Sequence, residues 1–378
     1  MKTDIEAHKN KWTIVIVSTV LWFVALLSGT GIGSALKIYD RMVLVLLFCL
    51  FYQVVFNGRF RDVKKSTAVC MLIIVMQNLY TKFAYGQNYM GYLEIYMIPI
   101  LYSLFTVDEK QMRTIGLIYG AGGGAILIFA NFTKYFAGWD GNTVSQICFF
   151  SYAVFIASMF DIKKKEYQRR IVIYSCIYFI LLVTLNSRSC VLFSAFLLLC
   201  ELGIIPAKSA INKYSILPWL IVPLIVAIVI TILSNAEFVA NLDMWSQSHF
   251  HKSIFSGRDV LWNRGFLLWK SYPILGTGSF AVRWHNSAVT CLVGAGSVGY
   301  IIWIYIMRTV LANACEYDED SIIFGTVVAF LAVWMQQSVE LGMISTTGNP
   351  VIFVLFGLVL ARTNTLRKKE TEDNNILE

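Results

Sequence analysis

The stretch Tyr214–Ser234, YSILPWLIVPLIVAIVITILS, contains no charged side chain and decides the fold class of this chain. A helix needs about 20 mostly apolar residues to cross the hydrocarbon core of a bilayer. Comparable stretches recur along the whole sequence, and we predict twelve spans, at 12–30, 39–56, 66–84, 91–107, 112–132, 143–161, 171–187, 189–205, 214–234, 286–308, 321–338 and 349–362. The sequence therefore predicts an all-α polytopic membrane protein that forms one integral membrane domain over residues 1–378.

The composition of the chain excludes a soluble enzyme. Of its 378 residues, 57% are hydrophobic and only 14% are charged, whereas about a quarter of the residues of soluble domains are charged. The net charge of +8 by itself suggests a nucleic-acid partner. However, most basic residues lie in short loops beside apolar stretches, where they determine topology. We therefore expect membrane lipids, and no nucleic acid, as partners.

The distribution of basic residues predicts the orientation of the chain. With the N-terminus in the cytoplasm, 21 of the 31 Lys and Arg residues fall on the cytoplasmic side, which leaves 10 outside. An excess of Lys and Arg in cytoplasmic loops is what the positive-inside rule expects. Both termini are thus predicted to be cytoplasmic.

One connection, residues 235–285, is much longer than the others and is predicted to lie outside the cell between spans nine and ten. It contains five of the ten outside basic residues, four of the chain's tryptophans and three of its four histidines. Long loops within compact chains are usually functional or disordered, and the many aromatic and aliphatic residues here argue against disorder. We predict that it is ordered and that Asp259–Trp269, DVLWNRGFLLW, is an amphipathic helix in the membrane interface.

Two patterns suggest ligand sites but have simpler interpretations. Gly294–Gly299 matches the GxGxxG pattern of dinucleotide-binding proteins, which has meaning only between a strand and a helix. Here it lies in a span, so we interpret it, and the Gly116-xxx-Gly120-xxx-Gly124 series, as faces for close packing through small residues. His249, His251 and Asp243 lack a further ligand at short spacing, and we interpret the two histidines as interfacial polar side chains. We predict no metal site.

Arg188 is the residue whose placement in a membrane would cost the most free energy, because it lies between two apolar stretches with almost no loop to carry it into water. Arginine near membrane depth normally faces a cavity or an anionic partner. The alternative is an interfacial arginine whose head group reaches the membrane surface. Glu94 and Glu340 lie near the predicted outer ends of their spans and leave the same two interpretations open; for Glu94 we favour the interfacial one.

Several further elements occur in a fixed order: Ser256–Trp262 (SGRDVLW), Tyr272–Phe280 (YPILGTGSF), His285-Asn286 and Gly294–Gly299. Together they resemble the O-antigen polymerase/ligase family (Wzy- and WaaL-type enzymes) of bacterial surface polysaccharide assembly. That family has SGRxxW, PxxGxG, HN and a glycine-rich span along one large extracytoplasmic loop. Ser187-Arg188-Ser189 is similar to its SR-S segment. The motifs cover about residues 185–305, and the rest of the chain agrees in topology.

The resemblance implies a GT-C-type glycosyltransferase fold in the bacterial cytoplasmic (inner) membrane, with the active site facing outside. It implies an undecaprenyl-pyrophosphate-linked oligosaccharide as the donor, no metal and no cofactor. Other polysaccharide assembly proteins, such as a flippase and a chain-length regulator, are expected partners.

The residue types fit this chemistry. Arginine suits a departing diphosphate because its guanidinium stays charged and presents paired donors, and histidine suits an attacking sugar hydroxyl because it exchanges protons near neutral pH. The predicted catalytic residues are His285, Arg188 and Arg258. The predicted diphosphate- and glycan-binding residues are Arg188, Arg258, Arg264, Arg283, Trp262, Asn286 and Glu340. Pro273, Gly276 and Gly278 are predicted to shape the loop.

Three functions remain as alternatives at this point. A polymerase joins two lipid-linked glycans, whereas a ligase transfers one to a different acceptor; we favour the polymerase because the sequence contains no additional acceptor-binding domain. A twelve-span transporter or flippase shares the span count, but the best-known layout of this kind has two related halves and its longest connection inside the cell. Here no repeat is evident and the longest loop is predicted to be outside.

Overall fold

The computed structural model describes residues 12–28, 98–133, 141–160, 165–185, 187–234, 236–250, 253–280, 282–340 and 350–377, together with isolated positions between 73 and 86. Within these residues the regular structure is helical, with no strand. The helices are α1 Thr13–Ser28, α2 Glu109–Thr133, α3 Gly141–Met159, α4 Lys165–Val183, α5 Arg188–Glu201, α6 Ala207–Ala210, α7 Ile216–Leu233, α8 Glu237–Phe250, α9 Arg258–Ser271, α10 Ser287–Ala314, α11 Ser321–Gln336 and α12 Pro350–Leu377, and a 3-10 turn, Cys315–Tyr317, follows α10.

The described helices have the lengths and compositions of an all-α membrane protein. Four of them, α2, α3, α7 and α10 with its 3-10 turn, are long and apolar enough to cross a bilayer, and α1 and α11 are shorter apolar helices. Of the predicted spans, 39–56 and nearly all of 66–84 lie outside the described residues, as do the first part of 91–107 and Glu94. The count of twelve spans therefore stays a prediction.

Two predicted boundaries need correction or refinement. The close pair of spans near residue 188 is two helices: α4 ends at Val183, a turn follows, and α5 begins at Arg188. The last predicted span ends at 362, but the helix that corresponds to it continues to Leu377. The charged residues after 362 end the apolar stretch but do not end the helix. Pairs of opposite charge four residues apart are compatible with an exposed helix, and Lys368 Nζ lies 3.8 Å from Glu372 Oε1.

The centre of the bundle is formed by α3 and α11. Every residue from Ile147 to Met159 is buried, and so is every residue from Ile322 to Trp334. Helix α7 lies at the edge: its buried residues recur three or four positions apart, from Ile216 to Ala227, which places them on one face. Its other face exposes large aliphatic side chains, as expected for a helix in contact with lipid.

The predicted glycine face of α2 is confirmed in part. Side-chain atoms added at Gly116 or Gly120 would overlap Ser158 or Phe155 of α3, so these glycines allow close helix packing. Gly124 faces α4 instead, where Tyr174 lies 3.3 Å from the position of an added Cβ. Residues four apart on a helix rotate by about 40°, so two such steps turn the series away from its first partner.

The long connection 235–285 is ordered where the structure describes it. It contains α8 and α9, and the helix predicted over Asp259–Trp269 is confirmed within α9. Asp243 of α8 accepts hydrogen bonds from the Ser253 hydroxyl at 2.8 Å and from the Ile254 backbone N–H at 2.6 Å. These bonds fix the segment that leads into α9. The location of α9 in a membrane interface stays a prediction.

Candidate functional site

A left-handed turn positions Arg258 at the start of α9. Ser256 and Gly257 both have positive φ angles, 52° and 75°, a conformation that glycine adopts without steric cost and serine rarely adopts. The chain reverses there, and the Arg258 N–H donates to the Phe255 carbonyl at 3.0 Å. The SGR sequence is thus a turn that presents the arginine as the first residue of a helix.

Asn286 organises the start of α10. Its side-chain oxygen accepts hydrogen bonds from the N–H groups of Ala288 and Val289 at 2.9 and 3.0 Å, which makes it the N-cap of the helix. Its amide nitrogen donates to the carbonyls of Pro223 and Ser338, both at 2.8 Å. Asn286 is fully buried. In this structure Asn286, which was predicted to bind the glycan, therefore joins α7, α10 and the segment after α11. Its contact with a substrate stays a prediction.

Trp262 connects α9 to the segment that precedes α10. The indole is fully buried, and its N–H donates to the Trp284 carbonyl at 2.6 Å. Gly265, one turn further along, leaves space for the side chains of Val289 and Trp284. Like Asn286, Trp262 is fully buried in this structure. It therefore presents no exposed surface to a glycan, and its contact with one stays a prediction.

Glu340 is the centre of the site. Its side chain is only 6% exposed, yet four polar groups from distant parts of the sequence surround its two oxygens. Arg258 Nη2 lies 3.0 Å and Ser189 Oγ 3.4 Å from Oε1. Gln146 Nε2 lies 3.3 Å and His285 Nδ1 3.8 Å from Oε2. A buried carboxylate is stable only with such partners, so Glu340 gathers these four residues.

His285 is held in an unusual conformation beside this carboxylate. It is one of two described non-glycine residues with a positive φ, 50°, and such backbone strain is concentrated at functional sites. Its Nδ1 atom is buried and has no hydrogen-bond partner among the described residues. The side chain as a whole is 38% exposed, so its accessible surface belongs to atoms other than Nδ1. The imidazole thus has Nδ1 buried near Glu340 and part of its remaining surface accessible.

The other predicted arginines lie on exposed surface near these elements. Arg188 is the first residue of α5 and directly precedes Ser189, which contacts Glu340. Arg264 lies on α9, and Arg283 precedes His285 by two residues. All three are exposed, and the structure shows no ion pair for them within its described residues. Of the predicted arginines, the geometry brings Arg258 to the carboxylate itself, and the other three lie on the exposed surface of elements that contribute to the site.

The loop after α9 inserts its backbone into a break in α10. Gly296 has φ 69° and ψ −174°, which interrupts the helix. The loop supplies partners for the interrupted helix: the carbonyls of Pro273 and Ile274 accept the N–H groups of Ser297 and Val298 at 2.9 and 3.2 Å, and Thr277 N–H donates to Val293 O at 2.8 Å. The prediction that PxxGxG shapes the loop is confirmed.

The same contact corrects the interpretation of the GxGxxG pattern. Two of its glycines do allow close packing, but their partner is the loop after α9: Gly296 meets the backbone of this loop and Gly294 meets its Phe280 ring. A Cβ at Gly276 would lie 2.5 Å from the Gly294 carbonyl oxygen, and one at Gly296 would overlap the Ile274 carbonyl.

Two residues of the site were not predicted as ligands. Ser189 was noted only as part of a motif, and Gln146 of α3 was not singled out. A signal for Gln146 was present, because an amide side chain within an apolar stretch is costly unless it has a polar partner. Nothing local in the sequence, however, indicates that this partner is Glu340, which is 194 residues away.

The histidines considered as metal ligands behave differently from His285. His249 stacks on Trp245, with 4.8 Å between ring centroids, and its Nδ1 lies 2.9 Å from the Trp245 carbonyl. Asp243 is occupied by the segment before α9, and its pKa is lowered, first by the Ser253 hydroxyl and then by the Ile254 N–H. His251 lies outside the described residues. In the part of the chain that the structure describes, no three His, Cys, Asp or Glu side chains form a group that could hold a metal ion.

Comparison with known proteins assigns this chain to no family. No protein-family model matches the sequence, and no curated protein is significantly similar to it.

Proposed function

We propose that this protein is a membrane glycosyltransferase that uses a lipid-pyrophosphate-linked glycan as its donor. Within that class we propose the polymerase of a bacterial surface polysaccharide, which transfers the glycan from undecaprenyl pyrophosphate to a lipid-linked acceptor. The observation that carries the proposal is the meeting of Arg258, His285 and Ser189 at Glu340, although 151 residues separate Ser189 from Glu340. Three sequence elements that resemble one enzyme family thus contribute to one site.

The donor side of the reaction needs positive charge. A lipid diphosphate carries about two to three negative charges, and charge-assisted, bidentate hydrogen bonds from arginine suit it. Arg258 lies in the site, and Arg188 begins the helix whose second residue contacts Glu340. Because the N–H groups at a helix start also favour anions, the starts of α5 and α9 combine two sources of attraction. Stabilisation of charge on the leaving group is commonly the largest contribution to catalysis.

The acceptor side needs a proton acceptor. In the proposed step a sugar hydroxyl oxygen of the acceptor forms a bond to the anomeric carbon of the donor. The bond from that carbon to the diphosphate oxygen breaks, and the lipid diphosphate leaves with the electron pair. The hydroxyl proton passes to Nε2 of His285, because Nδ1 is the ring nitrogen that lies 3.8 Å from Glu340. General-base assistance of this kind contributes about 10²–10⁴-fold to a rate.

The predicted architecture belongs to the same proposal. A GT-C-type fold with about twelve spans, both termini in the cytoplasm and the site facing outside would place the reaction at the surface where the lipid carrier presents its glycan. The ligase is the alternative within this class, because it uses the same donor and the same leaving group.

The test is transfer by the purified protein. The protein in liposomes should convert a lipid-pyrophosphate-linked oligosaccharide into longer lipid-linked chains, resolved as a ladder on a gel. In cells, loss of the gene should leave surface glycans of a single repeat if the protein is a polymerase. Full-length chains retained on the lipid carrier would instead indicate a ligase. Absence of any transfer from a donor that the protein binds would contradict the transferase proposal.

A further inference from the structure

Glu340 lies closer to Arg258 than to His285, and this difference in distance indicates a role for Glu340. The carboxylate forms a salt bridge with Arg258 at 3.0 Å, whereas His285 Nδ1, at 3.8 Å, is beyond hydrogen-bond distance. Arg258 is therefore the charged partner of Glu340 when no donor is present. His285 is adjacent but is not held by the carboxylate.

Donor binding would change this balance. A diphosphate that takes the guanidinium of Arg258 removes the main positive partner of a buried carboxylate, which is costly unless another partner replaces it. Gln146 and Ser189 already donate to the carboxylate. Of the described groups within 4 Å of Glu340, His285 is the one that can supply a new donor in place of Arg258, from a neutral ring with its proton on Nδ1, because this buried nitrogen has no hydrogen-bond partner among the described residues. Its Nδ1 needs to approach by only about 1 Å to reach a normal hydrogen-bond distance.

We infer, on the basis of the proposed function, that Glu340 is a positioning residue that exchanges Arg258 for His285 when the donor diphosphate binds. In the exchanged state Glu340 accepts a hydrogen bond from Nδ1–H. This fixes the tautomer in which Nε2 is free to take the proton of the acceptor hydroxyl, in the way that an aspartate orients the histidine of a catalytic triad. The base is thereby oriented only when a donor is loaded, so glycan transfer is coupled to donor binding.

The first experiment compares Glu340→Gln with the wild type in liposomes. The amide has the shape of the carboxylate but no charge. We expect kcat to fall about 10- to 100-fold because the base is no longer oriented, while inorganic pyrophosphate binds at least as tightly because Arg258 no longer has a competing partner. Glu340→Asp, which keeps the charge, should recover part of kcat.

A control removes the carboxylate of another Glu–Arg ion pair, one that is more exposed. Glu109 pairs with Arg113 at 2.8 Å at the start of α2, and Glu109→Gln should leave kcat and pyrophosphate binding unchanged. The inference is wrong if Glu340→Gln binds pyrophosphate more weakly than the wild type, because Glu340 would then support the site instead of competing for Arg258. It is also wrong if kcat is unchanged.

A second experiment uses the wild type and does not depend on the folding of any Glu340 variant. Nitrogen NMR of ¹⁵N-histidine-labelled protein in nanodiscs reports which ring nitrogen carries the proton, and the His285 signals are those that disappear in His285→Gln. Saturation with inorganic pyrophosphate should move the proton to Nδ1. Binding of pyrophosphate without this change would overturn the exchange but leave the proposed function intact. Failure of pyrophosphate to bind would contradict both.

Discussion

Replacing Arg258 by lysine separates guanidinium geometry from positive charge. In the donor-free protein the Arg258 side chain is 22% exposed and makes one ion pair, with Glu340 at 3.0 Å. Lysine can form that pair, so we expect the free energy of unfolding to change by less than about 1 kcal/mol. Lysine lacks the planar pair of donors that fits a phosphate edge. Loss of one charged hydrogen bond costs about 1.5–3 kcal/mol, or about 10- to 150-fold in kcat/KM.

The assay is the initial rate of chain extension in liposomes at several donor concentrations, with thermal unfolding measured on the same preparations. Arg113→Lys is the matched control, because Arg113 also pairs with a glutamate, at 2.8 Å, and its side chain is 30% exposed. Lys270→Ala, on the exposed end of α9, should likewise stay within about a fewfold of wild type. If Arg258→Lys turns over donor within about twofold of wild type while Arg113→Lys does the same, Arg258 does not hold the diphosphate.

Three further predictions concern the structure that supports the site. Gly296→Ala should lower the midpoint of thermal unfolding far more than Gly203→Ala. Both glycines have φ 69°, at which an alanine costs about 1–2 kcal/mol. Of the two positions, however, only Gly296 would bring the new Cβ into overlap with backbone atoms. Asn286→Ala should destabilise the protein by about 1–2 kcal/mol or more in chemical unfolding, because the helix cap is lost and two carbonyls lose their donor; a loss below about 0.5 kcal/mol would contradict the described role. The pKa of Asp243 is lowered in the folded state, so its stabilising contribution is present above the ordinary unfolded value near 4 and is lost as the pH falls through the folded value. The melting difference between wild type and Asp243→Asn should therefore shrink on acidification, and a difference that grows towards low pH would show the opposite linkage.

Local patterns in the sequence predicted most of the described helices, but not α6 or α8. The apolar stretch 214–234 became α7 and the amphipathic stretch 259–269 became part of α9, because apolar length and periodicity depend on neighbouring residues alone. The end of α12 and the interruption at Gly296 were not predicted. An exposed charged helix has no apolar signal at its end, and a positive φ within a glycine-rich stretch depends on the loop that packs there.

The sequence predicted which types of residue form the candidate site, but not how these residues are arranged around Glu340. Arginine and histidine were singled out from their chemistry, and Glu340 from the cost of a charge near an apolar span. That these residues share one carboxylate depends on contacts such as Asn286 with Ser338 and Pro223, which join parts of the chain far apart in sequence. Composition and spacing contain no information on such tertiary contacts, so the central position of Glu340 emerged only from the folded chain.

The docking of the loop on α10 has a consequence for how this protein can diverge. The hydrogen bonds that join Pro273 and Ile274 to the helix are made by backbone atoms, whereas Thr277 also donates to the Val293 carbonyl through its hydroxyl, at 3.0 Å. The joint further requires that Gly276 and Gly296 remain without side chains and that Gly294 leaves space for the ring of Phe280. Side chains of the loop that the joint does not use, such as that of Ile274, which is 65% exposed, are therefore free to be exchanged without detaching the loop from the span. Such exchanges alter the surface that the loop presents while the joint beneath it remains the same.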